Sequence, residues 1–598
     1  MDVHKQFAKF FNDEELYPYA YLLSKKLSEG HICIDVNRFD NNDIAELDLE
    51  DKEINIEIAL KSKFVTKAKN ELKPFIFYNN NLYIRRYFNY ESKIINKIKE
   101  LIKQETIKDT KTDVFKDRVN FLLAKKEFLK KLYSDIKENA TNDENIDWQF
   151  VGTVLSYLHN FSIITGGPGT GKTTTVAKIL ALLYKENSDL KVALTAPTGK
   201  AAMRMKEALK NNPLIAKFGI DDKVAKLQEF TIHRLLGYKH NSPYFKHNED
   251  NYLNYDVVIV DEASMIDVAL FYKLISAVSP ESRIILLGDK NQLSSVEAGS
   301  LLADLCNSQK KLNSISEAKY ELINGLIDNS EKKIPVEYKE SSKQGDLFEH
   351  ITELRFSHRF DDNSSIGRLS KAVLQMNEEE TLNILKSTDS DNIVLDNKFD
   401  DSIFNDFINE YKEYINEEDK KIALKKLNKL RVLCVVRQGE RGVYAVNEKI
   451  EKYLRSNGLI SLNDDFYINR PIMITKNYNE LKLYNGDIGI VRLDESDNNI
   501  KVFFLDNENN LKPISPGLIA ESETVFAMTV HKSQGSEYDN VLVLMPNNKE
   551  NPLLTRELLY TGITRAKTKL VIQGSEDIIL TSVKNKVDRA SGITNRIN

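Results

Sequence analysis

Gly166-Gly167-Pro168-Gly169-Thr170-Gly171-Lys172-Thr173 fits the pattern G-x-x-x-x-G-K-[ST]. It follows a short apolar run, Ser162-Ile163-Ile164-Thr165, and opens a stretch from Thr173 to Tyr184 with apolar residues at helical spacing. A strand, this loop and a helix in succession make a phosphate cradle. The glycines let backbone N–H groups curl toward anionic oxygens, and the helix N-terminus adds partial positive charge. Lys172 supplies a mobile cation for β- and γ-phosphates, and the Thr173 hydroxyl is placed to ligate Mg²⁺. ATP with Mg²⁺ is therefore the expected ligand pair, with Gly166 through Thr174 lining its tail.

Outward from this loop the chain alternates strands and helices. Val192-Ala193-Leu194-Thr195, Val257-Val258-Ile259-Val260 and Ile284-Ile285-Leu286-Leu287 are continuously apolar, as strands buried on both faces of a parallel sheet are. Asp261-Glu262 ends one of these strands, at the edge where a ligand crevice forms. Asp261 suits Mg²⁺, and Glu262 suits the attacking water. Gln292 follows the next strand, as either a turn residue or a γ-phosphate contact. A second α/β pattern contains Val432-Leu433-Cys434-Val435-Val436, Val541-Leu542-Val543-Leu544 and Leu570-Val571-Ile572. Arg359 and Arg565, both assigned to that second domain, are candidates for a cation reaching the γ-phosphate across a cleft.

Length and composition bound the rest. At 598 residues the chain predicts several domains. With 41% hydrophobic and 29% charged residues, it has enough apolar matter for ordinary cores. The 84 basic and 89 acidic residues give a net charge of −5, so nucleic-acid contact must come from local patches. Cys33, Cys306 and Cys434 form no CxxC, which disfavours disulfides and thiolate metal clusters and points to a reducing, cytoplasmic setting. No signal peptide or membrane span is legible. His233, His240 and His247 lie seven apart, which is not metal-ligand spacing.

Residues 1–120 read as a small α+β domain. Its features are a strand near His31 to Val36, a hairpin from Pro74 to Ile84 turning at Asn79 to Asn81, and a helix from Tyr90 to Ile102. Residues 306–350 are polar and read as an irregular connection between domains. Short strands around 471–475, 488–491 and 502–505, with Asn485-Gly486 as a turn signal, read as a small barrel inserted in the second α/β domain.

Taken in order, these segments resemble superfamily 1 helicases and, within them, the RecD family. The resemblance runs through Trp148-Gln149, the loop at 166–175, Ala196-Pro197-Thr198-Gly199-Lys200-Ala201-Ala202, Thr231-Ile232-His233-Arg234-Leu235-Leu236-Gly237, Asp261-Glu262-Ala263-Ser264-Met265-Ile266-Asp267, Gly288 to Gly299, Arg359-Phe360, Val530-His531-Lys532-Ser533-Gln534-Gly535-Ser536-Glu537 and Tyr560 to Lys567. It implies an α/β fold of two RecA-like parallel-sheet domains: residues 121–340, with a small insertion at about 205–250, and 341–458 with 523–598. An SH3-like β-barrel insertion at 459–522 and the N-terminal domain at 1–120 complete it. It also implies that Gln149 reads adenine and that Gln292, Arg359 and Arg565 contact the γ-phosphate. Pro197, Thr198, Lys200, Thr231, His233, Thr529, His531, Ser533 and Gln534 would hold a DNA backbone. The implied activity is 5′→3′ ATP-dependent unwinding of DNA ends for double-strand break repair and recombination. The implied partners are single-stranded and duplex-end DNA and the beta and gamma subunits of the RecBCD enzyme, with residues 1–120 as the docking surface for gamma. No second carboxylate cluster reads as a nuclease. A free-standing helicase, an ATP-gated regulatory subunit and a small-molecule phosphotransferase remain as alternatives.

Overall fold

The computed structural model describes residues 2–37, 56–106, 113–133, 146–239, 242–342, 345–359, 364–387, 392–462, 464–478, 480–506 and 509–598. Six parallel strands form the first sheet, in the order Ile351–Leu354, Phe161–Gly166, Arg283–Gly288, Val257–Val260, Val192–Ala196 and Gln228–Thr231. Its central strands are buried at every position because both faces are covered. Ile164, Leu194, Val257 and Ile259 pack under helices Trp148–Leu158 and Lys172–Glu186. Ile163, Ala193, Val258 and Val260 pack under Arg85–Gln104 and Val268–Ser276.

A second sheet of five parallel strands runs Ile393–Asp396, Ala566–Gln573, Tyr538–Leu544, Leu430–Cys434, Ala527–Thr529. Between its fourth and fifth members, five strands form an antiparallel sheet: Leu511–Ile514, Asn499–Leu505, Ile488–Asp494, Pro471–Ile474 and Ser522–Thr524. Ile472, Ile474, Val491, Val502 and Phe504 give that sheet its own core.

Four boundaries differ from the sequence expectation. Strand Ile351–Leu354 lies beyond residue 340, yet it pairs with the P-loop strand and extends the first sheet. Its pattern, apolar residues mixed with Thr352 and Glu353, belongs to an edge rather than a centre. Within the expected insertion at 205–250, Gln228–Thr231 is the opposite edge strand of that sheet. The 306–350 connection is not irregular. It carries helix Glu317–Leu326, whose Ile323 and Leu326 join the core with Ile327, Ile334 and Tyr338.

Nor do residues 1–120 form one separate unit. Leu16, Tyr19, Leu22, Phe75 and Leu82 make a small local core. The long helix Arg85–Gln104, however, buries Phe88, Ile94, Ile98 and Leu101 against the first sheet. The hairpin is as expected: Phe75–Tyr78 pairs with Asn81–Ile84 around Asn79 and Asn80, at φ 49° and 60°. Two left-handed residues are what a two-residue hairpin turn needs, and asparagine tolerates that conformation. His240 lies outside the described residues.

The chain's last segment recrosses between domains. Helix Glu576–Lys584 packs Ile578, Ile579 and Val583 into the second domain. The following residues return to the first, where Ile593 and Ile597 are buried against helices Leu301–Asn307 and Arg85–Gln104 in the core that also holds Phe161 and Ile163. Glu91, fully buried, receives Gly592 N (3.0 Å), Ser591 Oγ (3.1 Å) and Arg596 Nη1 (2.8 Å). A buried carboxylate needs such partners, because isolated it would be strongly destabilising.

Candidate active site

A cleft of about 700 Å³ opens where the two parallel sheets face each other. The P-loop enters it from the first domain. Gly169 and Gly171 take φ of +78° and +86°, left-handed values that favour glycine. A β-carbon at Gly169 would collide with that of Arg359, and one at Gly171 with the Gln149 amide. Gly169→Ala is therefore expected to displace Arg359 and weaken nucleotide binding at least ten-fold while leaving the melting temperature within a few degrees. Titration with a fluorescent ATP analogue beside a thermal melt checks it.

Lys172 Nζ donates to the carbonyls of Gly166 (2.7 Å) and Gly167 (3.0 Å), so its charge already sits over the loop. Thr173 and Thr174 lie in the first turn of the following helix, and both line the cleft. Thr170 Oγ1 donates to Gly167 O (2.9 Å), bracing the curl. Gln149 donates through Nε2 to Thr170 O (3.2 Å), while its buried Oε1 has no hydrogen-bond partner among the described residues. An unmatched acceptor at the rim of a cavity is a binding determinant in want of a donor. Gln292 is alike: Nε2 donates to Asp289 Oδ2 (3.2 Å) and Oε1 is unmatched.

Asp261 and Glu262 sit side by side. Burial, reinforced by the Glu262 charge, pushes Asp261 up to about 7, and Lys172 opposes the shift. Asp261 Oδ1 accepts from Glu262 N (2.8 Å), and Glu262 holds φ +52°, a left-handed strain that aims its carboxylate into the cleft. The second domain answers with Arg565, buried, donating Nε to Thr561 O (3.1 Å) and Nη1 to Ser536 O (3.0 Å). Burial lowers its pKa, and Glu262 is the foremost charge pulling it back.

Arg359 is placed differently from expectation. It belongs to the segment leaving the first sheet, not to the body of the second domain. His358 N donates to Gly169 O (2.9 Å) and Ser357 Oγ to Pro168 O (3.0 Å), which fixes this segment on the P-loop itself. Its guanidinium then bridges to Glu537 of the second domain. Glu537, Asp289 and Tyr560 were not singled out by sequence reasoning. Glu537 is held below its usual value by Arg359 despite burial. Tyr560 donates its hydroxyl to Asp289 Oδ2 (2.9 Å), another bond across the cleft. All three do fall inside the quoted motifs, which was the available signal.

The residues expected on a DNA strand are less uniformly exposed. Thr198 and Thr231 cap helices Gly199–Lys210 and Ile232–Leu235, accepting from Ala201 N and Arg234 N at 3.2 Å each. Pro197 precedes the first cap and is partly exposed, and His233 is exposed, edge-on to Phe245. Lys200 is pushed down to about 7 by burial of its ammonium, with Arg204 and Arg431 adding and Asp487 opposing. Thr529 Oγ1 accepts from Lys532 N (3.2 Å), and burial lowers His531. Ser533 is fully buried and donates to Val530 O (2.7 Å), so its hydroxyl serves a local turn in this conformation. Gln534 Nε2 donates to Leu293 O (2.8 Å), a further link between domains. A second cleft of about 830 Å³, bounded by Lys226, Arg234, Tyr238, Lys482 and Tyr484, lies between the edge strand Gln228–Thr231 and the inserted sheet.

Comparison with known proteins completes the picture. Residues 153–298 match an AAA domain and 524–573 a UvrD-like helicase C-terminal domain. The RecBCD enzyme subunit RecD of Haemophilus influenzae is 33% identical over 566 residues, covering 89% of this chain and 82% of that protein. The chain belongs to the RecD family. The RecD subunit of Mycobacterium tuberculosis is 34% identical over 455 residues, 74% of this chain and 72% of that one. Among solved structures, Bacteroides Pif1 bound to single-stranded DNA aligns over 74% of this RecD-family chain and 94% of its own, at 18% identity and a TM-score of 0.33. No helix among the described residues is long and apolar enough to cross a membrane.

Proposed function

We propose that this chain is the ATP-driven helicase motor of a RecBCD-type complex, moving 5′→3′ along single-stranded DNA and unwinding duplex ends for break repair and recombination. The reading rests on one observation: the P-loop, Asp261-Glu262, Arg359 and Arg565 line a single cleft between two parallel-sheet domains. A small-molecule phosphotransferase would not need two such domains joined by bonds across the cleft.

The residues divide the work by chemistry. Gln149 offers an acceptor to the adenine edge. Backbone N–H groups of 169–174 and the Lys172 ammonium hold the phosphate tail. Thr173 and Asp261 would hold Mg²⁺. Asp261 is raised by burial beside Glu262, a cost a divalent cation offsets, and the ion would supply charge neutralisation at the phosphates. Glu262 orients and deprotonates water. Arg565, facing Glu262 from the opposite domain, and Arg359, tied to both domains, neutralise charge as the γ-phosphate leaves. Loss of that phosphate removes the anion that holds the cations together, and the cleft opens.

Single-stranded DNA crosses the tops of both sheets near Pro197, Thr231, His233, Thr529 and His531. It continues past the basic and aromatic cleft at Tyr238 and Tyr484, where cations suit phosphates and rings suit bases. We read the antiparallel insertion as SH3-like, and the N-terminal residues as the face toward the gamma subunit, with any nuclease activity in a partner subunit. Cys33, Cys306 and Cys434 are free and buried, as suits a reducing cytoplasm.

The test is ATP hydrolysis with and without single-stranded DNA, then unwinding of duplexes carrying a 5′ or a 3′ tail. Strand-stimulated hydrolysis with unwinding from the 5′ tail is expected. Stimulation without unwinding would favour a gated regulatory subunit, and no stimulation would remove every DNA-motor reading.

A further inference from the structure

Gln292 reaches the cleft from a loop that is gripped at three points. At its start, Asp289 accepts from Gln292 Nε2 (3.2 Å) and from the Tyr560 hydroxyl (2.9 Å). In the middle, Leu293 is buried in the second domain's core. Leu293 N donates to Thr561 Oγ1 (3.1 Å) and its carbonyl accepts from Gln534. At the far end, three carbonyls, those of Ser295, Glu297 and Gly299, converge on one donor, Arg589 Nη1, at 2.7, 3.2 and 3.0 Å.

Arg589 belongs to the segment that recrosses from the second domain. Just before it, Val587 N still donates to Glu557 Oε2 of the second domain (2.9 Å). Just after it, Ala590 N donates to His31 Nδ1 (3.0 Å) and Ile32 N to Ala590 O (2.9 Å), in the first. Arg589 thus stands at the transfer point. Its guanidinium lies flat against Gly30, at φ +96°, where a β-carbon would come within 2.6 Å of it. Gly299 N donates to Gly30 O (2.9 Å), closing the grip.

We propose that Arg589 is a positioning residue for ATP hydrolysis. By clamping the 295–299 end of the loop while the second domain holds Leu293, it sets where Gln292 stands and ties that placement to domain movement. A guanidinium suits the task because its planar fork keeps several carbonyls in one arrangement. The proposal rests on the reading of Gln292 as a γ-phosphate or water contact.

The test compares Arg589→Ala, Arg589→Lys, Gln292→Ala and the double variant in the full chain, with strand-saturated hydrolysis as readout. Arg589→Ala is expected to lower kcat about ten-fold with KM for ATP changed less than two-fold. Arg589→Lys, which restores a cationic donor, is expected to recover to within about three-fold of the original chain. The double variant should be no slower than Gln292→Ala alone. Arg596→Ala loosens the same segment at Glu91 without touching the loop. It should lower the melting temperature while kcat holds. If kcat falls with melting temperature alike in Arg589→Ala and Arg596→Ala, or if the two single losses multiply in the double variant, the positioning role is overturned. Gln292→Ala turning over normally would overturn the Gln292 reading itself and the clamp with it. Gln292→Ala slow and Arg589→Ala normal would overturn the clamp alone.

Discussion

Arg359→Ala is expected to lower strand-stimulated ATP turnover on the order of 10³-fold, the scale on which an arginine that neutralises a leaving phosphoryl group acts. The fold should survive, because the backbone on either side does the anchoring: His358 N bonds the P-loop at Gly169, and Ser357 bonds Pro168. The side chain is only partly buried and pairs with Glu537. Its ion pair also predicts a difference between two neighbours. Glu537→Gln removes the partner but leaves the cation, so it should weaken coupling to DNA more than turnover without DNA. Steady-state hydrolysis across a range of oligonucleotide concentrations measures both. If Arg359→Ala turns over within ten-fold of the original chain, Arg565 alone carries the charge.

Lys172→Gln carries the second large effect. Its ammonium is the cation that the P-loop itself supplies to the phosphate tail, and removing one preorganised donor at a charge-developing centre costs roughly 10²–10³ in rate. Among the described residues Lys172 bonds to the carbonyls of Gly166 and Gly167, to which a glutamine amide can also donate, so the melting temperature should hold. Turnover near that of the original chain would displace the P-loop as the sole ATP site.

What the sequence disclosed follows physical lines. Strands such as Val257–Val260 announce themselves because helices cover both faces and every position must be apolar. The edge strand Ile351–Leu354 does not, because Thr352 and Glu353 break the run, and an edge needs no such uniformity. The long helix over 85–104 was visible in part, but periodicity shows that a face is apolar, not what it packs on. Its stripe lies on the first sheet, which no local pattern encodes. At the cleft, the P-loop and Asp261-Glu262 are local motifs and were legible. Arg359 lines the cleft, on the segment leaving the first sheet and not in the second domain to which the sequence reading gave it. The bonds that fix it, to Gly169, Pro168 and Glu537, join residues nearly two hundred positions apart. Arg589 carries no signal at all in sequence, since its role comes from three carbonyls of a distant loop.

The burial of Ile593 and Ile597 in the core that also holds Phe161 and Ile163 has a consequence for biosynthesis. As the polypeptide leaves the ribosome, its leading RecA-like half lacks part of its own interior until residues 593–597 have been made. Greasy surface on that half stays uncovered while the second domain is being made, so chaperones have a defined patch to shield until this segment emerges and docks.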